Sequence, residues 1–229
     1  MSTAAMCWTY GNWRTGAAKR CSGVLNGSFQ RHGLPGAIRS DNGSPFASVQ
    51  TLHGLSRLSA WWVALGIDLE RGRAGCPQDN AAHERFHRDV SVELEGLGEE
   101  TQEGLDLWRQ EFNYERPHEA LQMRCHGEVY QNSTRSFQGT PQELIYPGMA
   151  ARQVDKNGSL SWQDQKLFLS RSLAGWSVGL KNSGGQFIEV WFARLLLGHI
   201  DQNNLSFLRA DIPQKAASEQ GSLAADAAS

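Results

Sequence analysis

The sequence predicts a two-part chain, α/β in its first half and all-β in its second. Three observations carry this. Up to residue 121, short apolar runs bounded by Gly, Pro and Asn alternate with stretches of helical period. From Val154 onward, period-two alternation and Asn-Gly turn chemistry replace the helical period. Between them, residues 122–150 are rich in Gln, Ser, Gly and Pro and follow neither period.

The elements follow in order. Residues 1–20 show no period, and a short helical pattern covers Val24 to Phe29. HGLPG (32–36) is a loop, AIRSD (37–41) a short strand, and Asn42-Gly43 the turn that ends it. Leu52, Leu55, Leu58, Trp61, Trp62 and Leu65 recur at three- and four-residue steps, predicting a helix with one apolar face and both tryptophans in the core. Gly66 stops that helix, and IDLERGR (67–73) alternates like a strand. CPQDN (76–80) opens a second helix running through HERFHRDVSVEL. After a polar break at Gly96–Gly104, LDLWRQEFNYE (105–115) forms a third, stopped at Arg116-Pro117 because the residue before proline is driven out of the helical region. The β half holds about five strands, including KLFLS, SVGLK and FIEVWFARLLLGHI, while the tail QKAASEQGSLAADAAS is small and polar and expected to be disordered.

Composition narrows the function classes. With 229 residues, 40% hydrophobic and 20% charged, the chain supports one sizeable core or a medium domain plus a small one. A net charge of −2 supplies no broad field for nucleic acid or anionic membrane, although most cations are arginines, whose planar fork suits phosphate. The densest apolar stretch, residues 187–198, is broken by Glu189 and Arg194, so no membrane span is expected. The N-terminus lacks the pattern of a secretory signal, and Cys7, Cys21, Cys76 and Cys125 show no CxxC spacing, which suits thiols in a cytoplasmic protein.

HERFH (83–87) satisfies the H-E-x-x-H pattern of zinc peptidases, in which two histidines one helical turn apart hold the metal. Two features weigh against it. Arg85 and Arg88 would stand beside a dication, and none of the downstream candidates His118, Glu119 and His126 sits in a third-ligand motif. The competing constellation pairs Asp41 at a strand end with Glu84 on a helix 43 positions later. Two such carboxylates suit hard Mg²⁺ or Mn²⁺ ions at a phosphodiester. Taken alone, Asp41 reads first as a turn former in Asp-Asn-Gly and Glu84 as a solvated helix charge.

HGLPGAIRSDNGSPFAS (32–48), GIDLERGRAGCPQDNAAHERFHRDV (66–90) and FNYERPHEAL (112–121) together resemble bacterial insertion-sequence transposases of the retroviral-integrase type, with a DDE catalytic core. The resemblance covers roughly residues 22 to 209. Asn113-Tyr114 is inverted from the family's usual Tyr-Asn. It implies a ribonuclease H-like core followed by a small SH3-like barrel, and DNA strand transfer as the activity. It assigns Asp41 and Glu84 as catalytic metal ligands for Mg²⁺ or Mn²⁺. Asn80, Arg85 and Arg88 are the candidate DNA contacts, with helix capping as the competing role for Asn80 and plain solvation for the arginines. Arg116 and His118 take structural places at the helix end. In the β half, Lys156, Lys166, Arg171 and Lys181 are candidate DNA contacts or ordinary surface.

The family site has three carboxylates, and residues 1–40 contain neither Asp nor Glu. The expectation is therefore an N-terminally truncated core, inactive alone, in which the strand ending at Asp41 becomes an unpaired edge. The corresponding division is an unassigned 1–21, a partial core over 22–134, a linker at 135–152, a small β-barrel at 153–210 and a tail at 211–229. DNA and a second copy or full-length transposase are the expected partners. A non-catalytic partner or inhibitor of a full-length transposase, and a zinc peptidase, remain the alternatives.

Overall fold

The computed structural model describes residues 17–40, 43–48, 51–72, 81–97, 101–182 and 184–210, with only the backbone of 17–20, 81–85, 87 and 102. Helix α1 (Ala17–His32) ends where Gly33 takes φ +77°, and a Cβ there would meet the Ser133 carbonyl oxygen at 2.7 Å. Only glycine turns the chain there at no cost. Strand β1 (Ala37–Ser40) then pairs in parallel with β2 (Asp68–Arg71), Ala37 opposite Asp68 and Ser40 opposite Arg71. The strand leading to Asp41 is thus paired along one side, because IDLERGR supplies its neighbour. Among the described residues its other side carries no strand.

The crossover between these strands holds a 3-10 turn (Leu52–Gly54) and helix α2 (Arg57–Ala64), where the apolar spacing predicts one continuous helix. Two features split it. His53 has φ +50° and Gly54 +63°, and Ser56 caps α2 through reciprocal bonds with Ser59 (3.1 and 2.8 Å). The division sorts the apolar residues. Leu58, Trp61, Trp62 and Leu65 pack with Phe29, Leu34 and Ile67, whereas Leu52, Leu55, Ala60 and Val63 join the core of the β half.

The segment after residue 131 is fastened to this unit. Ser133 N–H donates to His32 O (2.8 Å), Arg135 donates to the carbonyls of Pro35, Leu65 and Gly66 (2.9 Å each), and Trp61 Nε1 donates to Thr140. Phe137 packs edge-on against Phe29 and Trp61. One guanidinium thereby closes carbonyls left open at a loop and at a helix end.

The β half begins with β3 (Ala150–Gln153) and the hairpin β4 (Ser159–Trp162) with β5 (Gln165–Phe168). It continues with β6 (Ser177–Asn182), β7 (Phe187–Phe192), β8 (Leu195–Asp201) and β9 (Ser206–Arg209). The five-stranded antiparallel sheet runs β3-β6-β7-β8-β9. Its inner face buries Val178, Val190, Phe192, Leu197 and Ile200, in one apolar cluster with Leu55, Ala60 and Val63 of the first half. Polar ties reinforce the junction: Arg194 reaches Asp68 (2.7 Å) and Gly66 O (3.0 Å), and His53 bonds Leu197 O (3.2 Å). The architecture is mixed α/β, with its halves joined by a shared core. No helix among the described residues is long and apolar enough to cross a membrane.

Candidate functional site

Helix α3 (Ala81–Leu97) carries Glu84, Arg85 and Arg88. It packs against α4 (Gln102–Tyr114), which starts three residues earlier than its apolar period predicts because the Thr101 side chain accepts from Gly104 N–H (3.1 Å). Val90 and Leu94 of α3 meet Leu105 and Trp108 of α4, with Phe86 and Phe112 alongside, in a cluster of their own. The pair is locked by charge at its far end. Arg116 contacts Glu93 on α3 (2.7 Å) and Glu111 on α4 (2.9 Å), while Trp108 Nε1 donates to Glu93 (2.7 Å). Burial opposes ionisation of Glu93, but the bonds from Trp108 and Arg116 and the Arg116 charge outweigh it and lower its pKa. Arg116 is a clamp between α3 and α4, in keeping with the structural place expected for it.

His118 and His126 close the same end. Helix α5 (His126–Val129) sets the His126 ring 3.9 Å from that of His118, and both contact Phe112, at 4.9 Å for His118 and 5.0 Å for His126. His118 Nε2 and His126 Nδ1 are buried and have no hydrogen-bond partner among the described residues. Burial, then repulsion from His118, lowers the pKa of His126. The unfolded chain therefore takes up the proton first as the pH falls below about 6.5. Stability conferred by the neutral ring is present above that pH and lost progressively below it. The urea midpoint should thus drop between pH ~7.5 and ~5.5, and drop less in His126→Phe, which keeps a ring against Phe112 without the proton. Equal drops in both proteins would refute this role.

The sequence-assigned positions fall as follows. The described part of β1 runs to Ser40, the residue before Asp41 in sequence, and Asp41 and Asn80 lie outside the described residues. Glu84 and Arg85 lie in the first turn and a half of α3, with their side chains also outside the description, as are those of His83 and His87. Arg88 is exposed on α3. Among the described residues no group of three His, Cys, Asp or Glu is placed to hold a metal. Of the β-half cations, Lys166 is paired with Asp155 (3.0 Å) and Lys181 with Glu189 (3.5 Å). Among the described residues Lys156 and Arg171 carry no such pair. Glu93 and Trp108, which hold the Arg116 end of the helix pair, escaped the sequence reading; Trp108 sits on the helix that the Arg116-Pro117 stop ends, and Glu93 on the helix before it.

Residues 65–125 match the family described as integrase core domain. The chain is 34% identical over 152 residues to a Pol polyprotein of Feline endogenous virus ECE1, covering 66% of this chain and 12% of that protein. It is 34% identical over 125 residues to a Gag-Pol polyprotein of Baboon endogenous virus, covering 55% of this chain and 6% of that protein. Against the Insertion element IS407 uncharacterized 31.7 kDa protein of Burkholderia multivorans it is 33% identical over 105 residues, covering 43% of this chain and 35% of that protein. The chain thus spans a minor part of each relative's length.

Proposed function

We propose that this chain, a member of the integrase and transposase family through its core segment, works on DNA in integration or transposition, with Asp41 and Glu84 as its acidic ligands. The observation that carries the reading is the 65–125 match, which contains both Glu84 and the Asn113–Leu121 string. The parallel β1–β2 pair supports it, because Asp41 follows directly on β1 and the matched segment opens at β2. In this reading the α/β half is a partial ribonuclease H-like core over 22–134, and the five-stranded sheet belongs to an SH3-like barrel over 153–210.

Asp41 and Glu84 offer carboxylate oxygens, the donor type that Mg²⁺ or Mn²⁺ takes. Such an ion, when bound, stabilises charge developing on a phosphodiester. Arg88, exposed on the helix that carries Glu84, meets DNA phosphates, with Arg85 and Asn80 beside it in sequence. Two carboxylates satisfy few of the six or so oxygen positions such ions fill. No acidic residue lies within 1–40 to add a third, so the 229-residue chain is inactive on its own.

Two measurements test this. Calorimetric titration with Mn²⁺ should show weak binding that Asp41→Asn and Glu84→Gln each reduce; binding indifferent to both sinks the assigned site. Incubating the chain with labelled DNA ends and Mg²⁺ or Mn²⁺ should give neither nicking nor strand transfer. Products that vanish in Asp41→Asn would overturn the inactivity. A second reading, a non-catalytic partner of a full-length transposase, draws on the side of β1 that carries no strand among the described residues. Co-purification with that enzyme tests it.

A further inference from the structure

The β1–β2 pair has two unlike faces. Along β1, Arg39 is open to solvent between the half-buried Ile38 and Ser40; along β2, Asp68 and Glu70 are open while Leu69 and Arg71 are half-buried. The register sets Ile38 beside Leu69 and Ser40 beside Arg71 on the inner face. There Ile38 and Leu69 pack into the core, and Arg71 Nη2 donates to Gly54 O (2.9 Å) in the crossover. The outer face sets Arg39 beside Glu70.

Two carboxylates stand on the outer face of β2, and they are held differently. Asp68 is gripped by Arg194 at 2.7 Å, and Arg194 is itself fixed to Gly66 O. Glu70, two residues nearer the strand end, meets Arg39 at 3.4 Å, with the side chains of Arg39 and Glu70 63% and 51% exposed. An ion pair that long and that open contributes little, so exchanging it for a metal contact costs little.

We infer that Glu70 is a further carboxylate ligand for the divalent ion assigned to Asp41 and Glu84. Asp41 is two positions beyond Arg39 in sequence, and the period-two alternation of a strand gives it the face of Arg39 and Glu70. Glu70 is then its diagonal neighbour on the adjacent strand, about 7–8 Å away. One ion bridges that gap, because the two side chains and two metal–oxygen bonds of about 2 Å together span it. The inference rests on the reading of Asp41 and Glu84 above and adds a third source of oxygens, from β2 and not from a strand ahead of Asp41. Arg39, beside both carboxylates, competes with the ion for them. A single ion held this way is half of the two-metal clamp used at a phosphodiester. Glu70 therefore strengthens binding without supplying the activity that the chain lacks.

The test is calorimetric titration of the full chain with Mn²⁺. Both side chains of the pair are exposed, so Glu70→Gln and Arg39→Gln should each keep the parent's urea midpoint. Glu70→Gln should weaken Mn²⁺ binding about tenfold, as loss of one charged ligand does. Arg39→Gln should strengthen it about threefold by removing a competing cation. The opposite signs decide the matter, because both variants break the same ion pair and would act alike if that pair only braced the strands. Weaker binding in both variants, or unchanged binding in Glu70→Gln, overturns the inference. If Asp41→Asn and Glu84→Gln weaken binding and Glu70→Gln does not, the inference falls and the integrase reading stands. If Asp41→Asn and Glu70→Gln weaken it and Glu84→Gln does not, Glu70 keeps its place and the reading built on Glu84 falls.

Discussion

Trp62→Ala should cost about 3–5 kcal/mol of unfolding free energy, the range for truncating a buried tryptophan, read as a large fall in urea midpoint at unchanged slope. Trp62 is 1% exposed, stacks on Phe46 with ring centroids 5.9 Å apart, and packs with Trp61, Leu58 and Ile67 on the inner side of α2. Its removal opens a void beneath the crossover that joins β1 to β2. The ring contributes through its shape and apolar area, since its Nε1 is buried without a hydrogen-bond partner among the described residues. Trp62→Phe forfeits no bond and relieves a buried unsatisfied donor, so it should lose less than half as much. If Trp62→Phe proves as damaging as Trp62→Ala, the indole N–H has a partner and this account fails.

The same residue shows what the sequence carried. Its three- and four-residue spacing from Leu58 and Leu65 placed it on a buried helical face, and the structure buries it there. Extending that pattern back to Leu52 misled, because periodicity records that a residue is apolar and not which core receives it. Leu52 and Leu55 turn toward the β sheet, and Ser56 breaks the helix to let them. In 122–150 the signal was thinner. Tyr146 is buried, with its hydroxyl donating to Ser177 O (2.7 Å), but one aromatic among polar residues announces no element. For the proposed site, the motifs single out Asp41 and Glu84 by their order along the chain, while the side chains of both lie outside the described residues.

Leu55→Ala is the second large effect, expected at about 2–5 kcal/mol, and its value lies in what moves with it. Leu55 is 1% exposed in a cluster drawing on both halves of the chain, so its truncation should shift tryptophan fluorescence and β-sheet circular dichroism together in one transition. Trp108→Ala removes a ring of similar burial from the α3–α4 pair, whose apolar cluster is its own. The bond to Glu93 and the Arg116 contact over the ring (5.7 Å) go with it. That variant should loosen α3, and with it the helix segment bearing Glu84, while the sheet transition stays near its original midpoint. Hydrogen exchange separates the two: faster exchange confined to 81–114 for Trp108→Ala, and faster exchange across both halves for Leu55→Ala. If Trp108→Ala lowers the sheet midpoint as far as Leu55→Ala does, the helical pair is integral to the main core, and Glu84 stands on the same cooperative unit as β1.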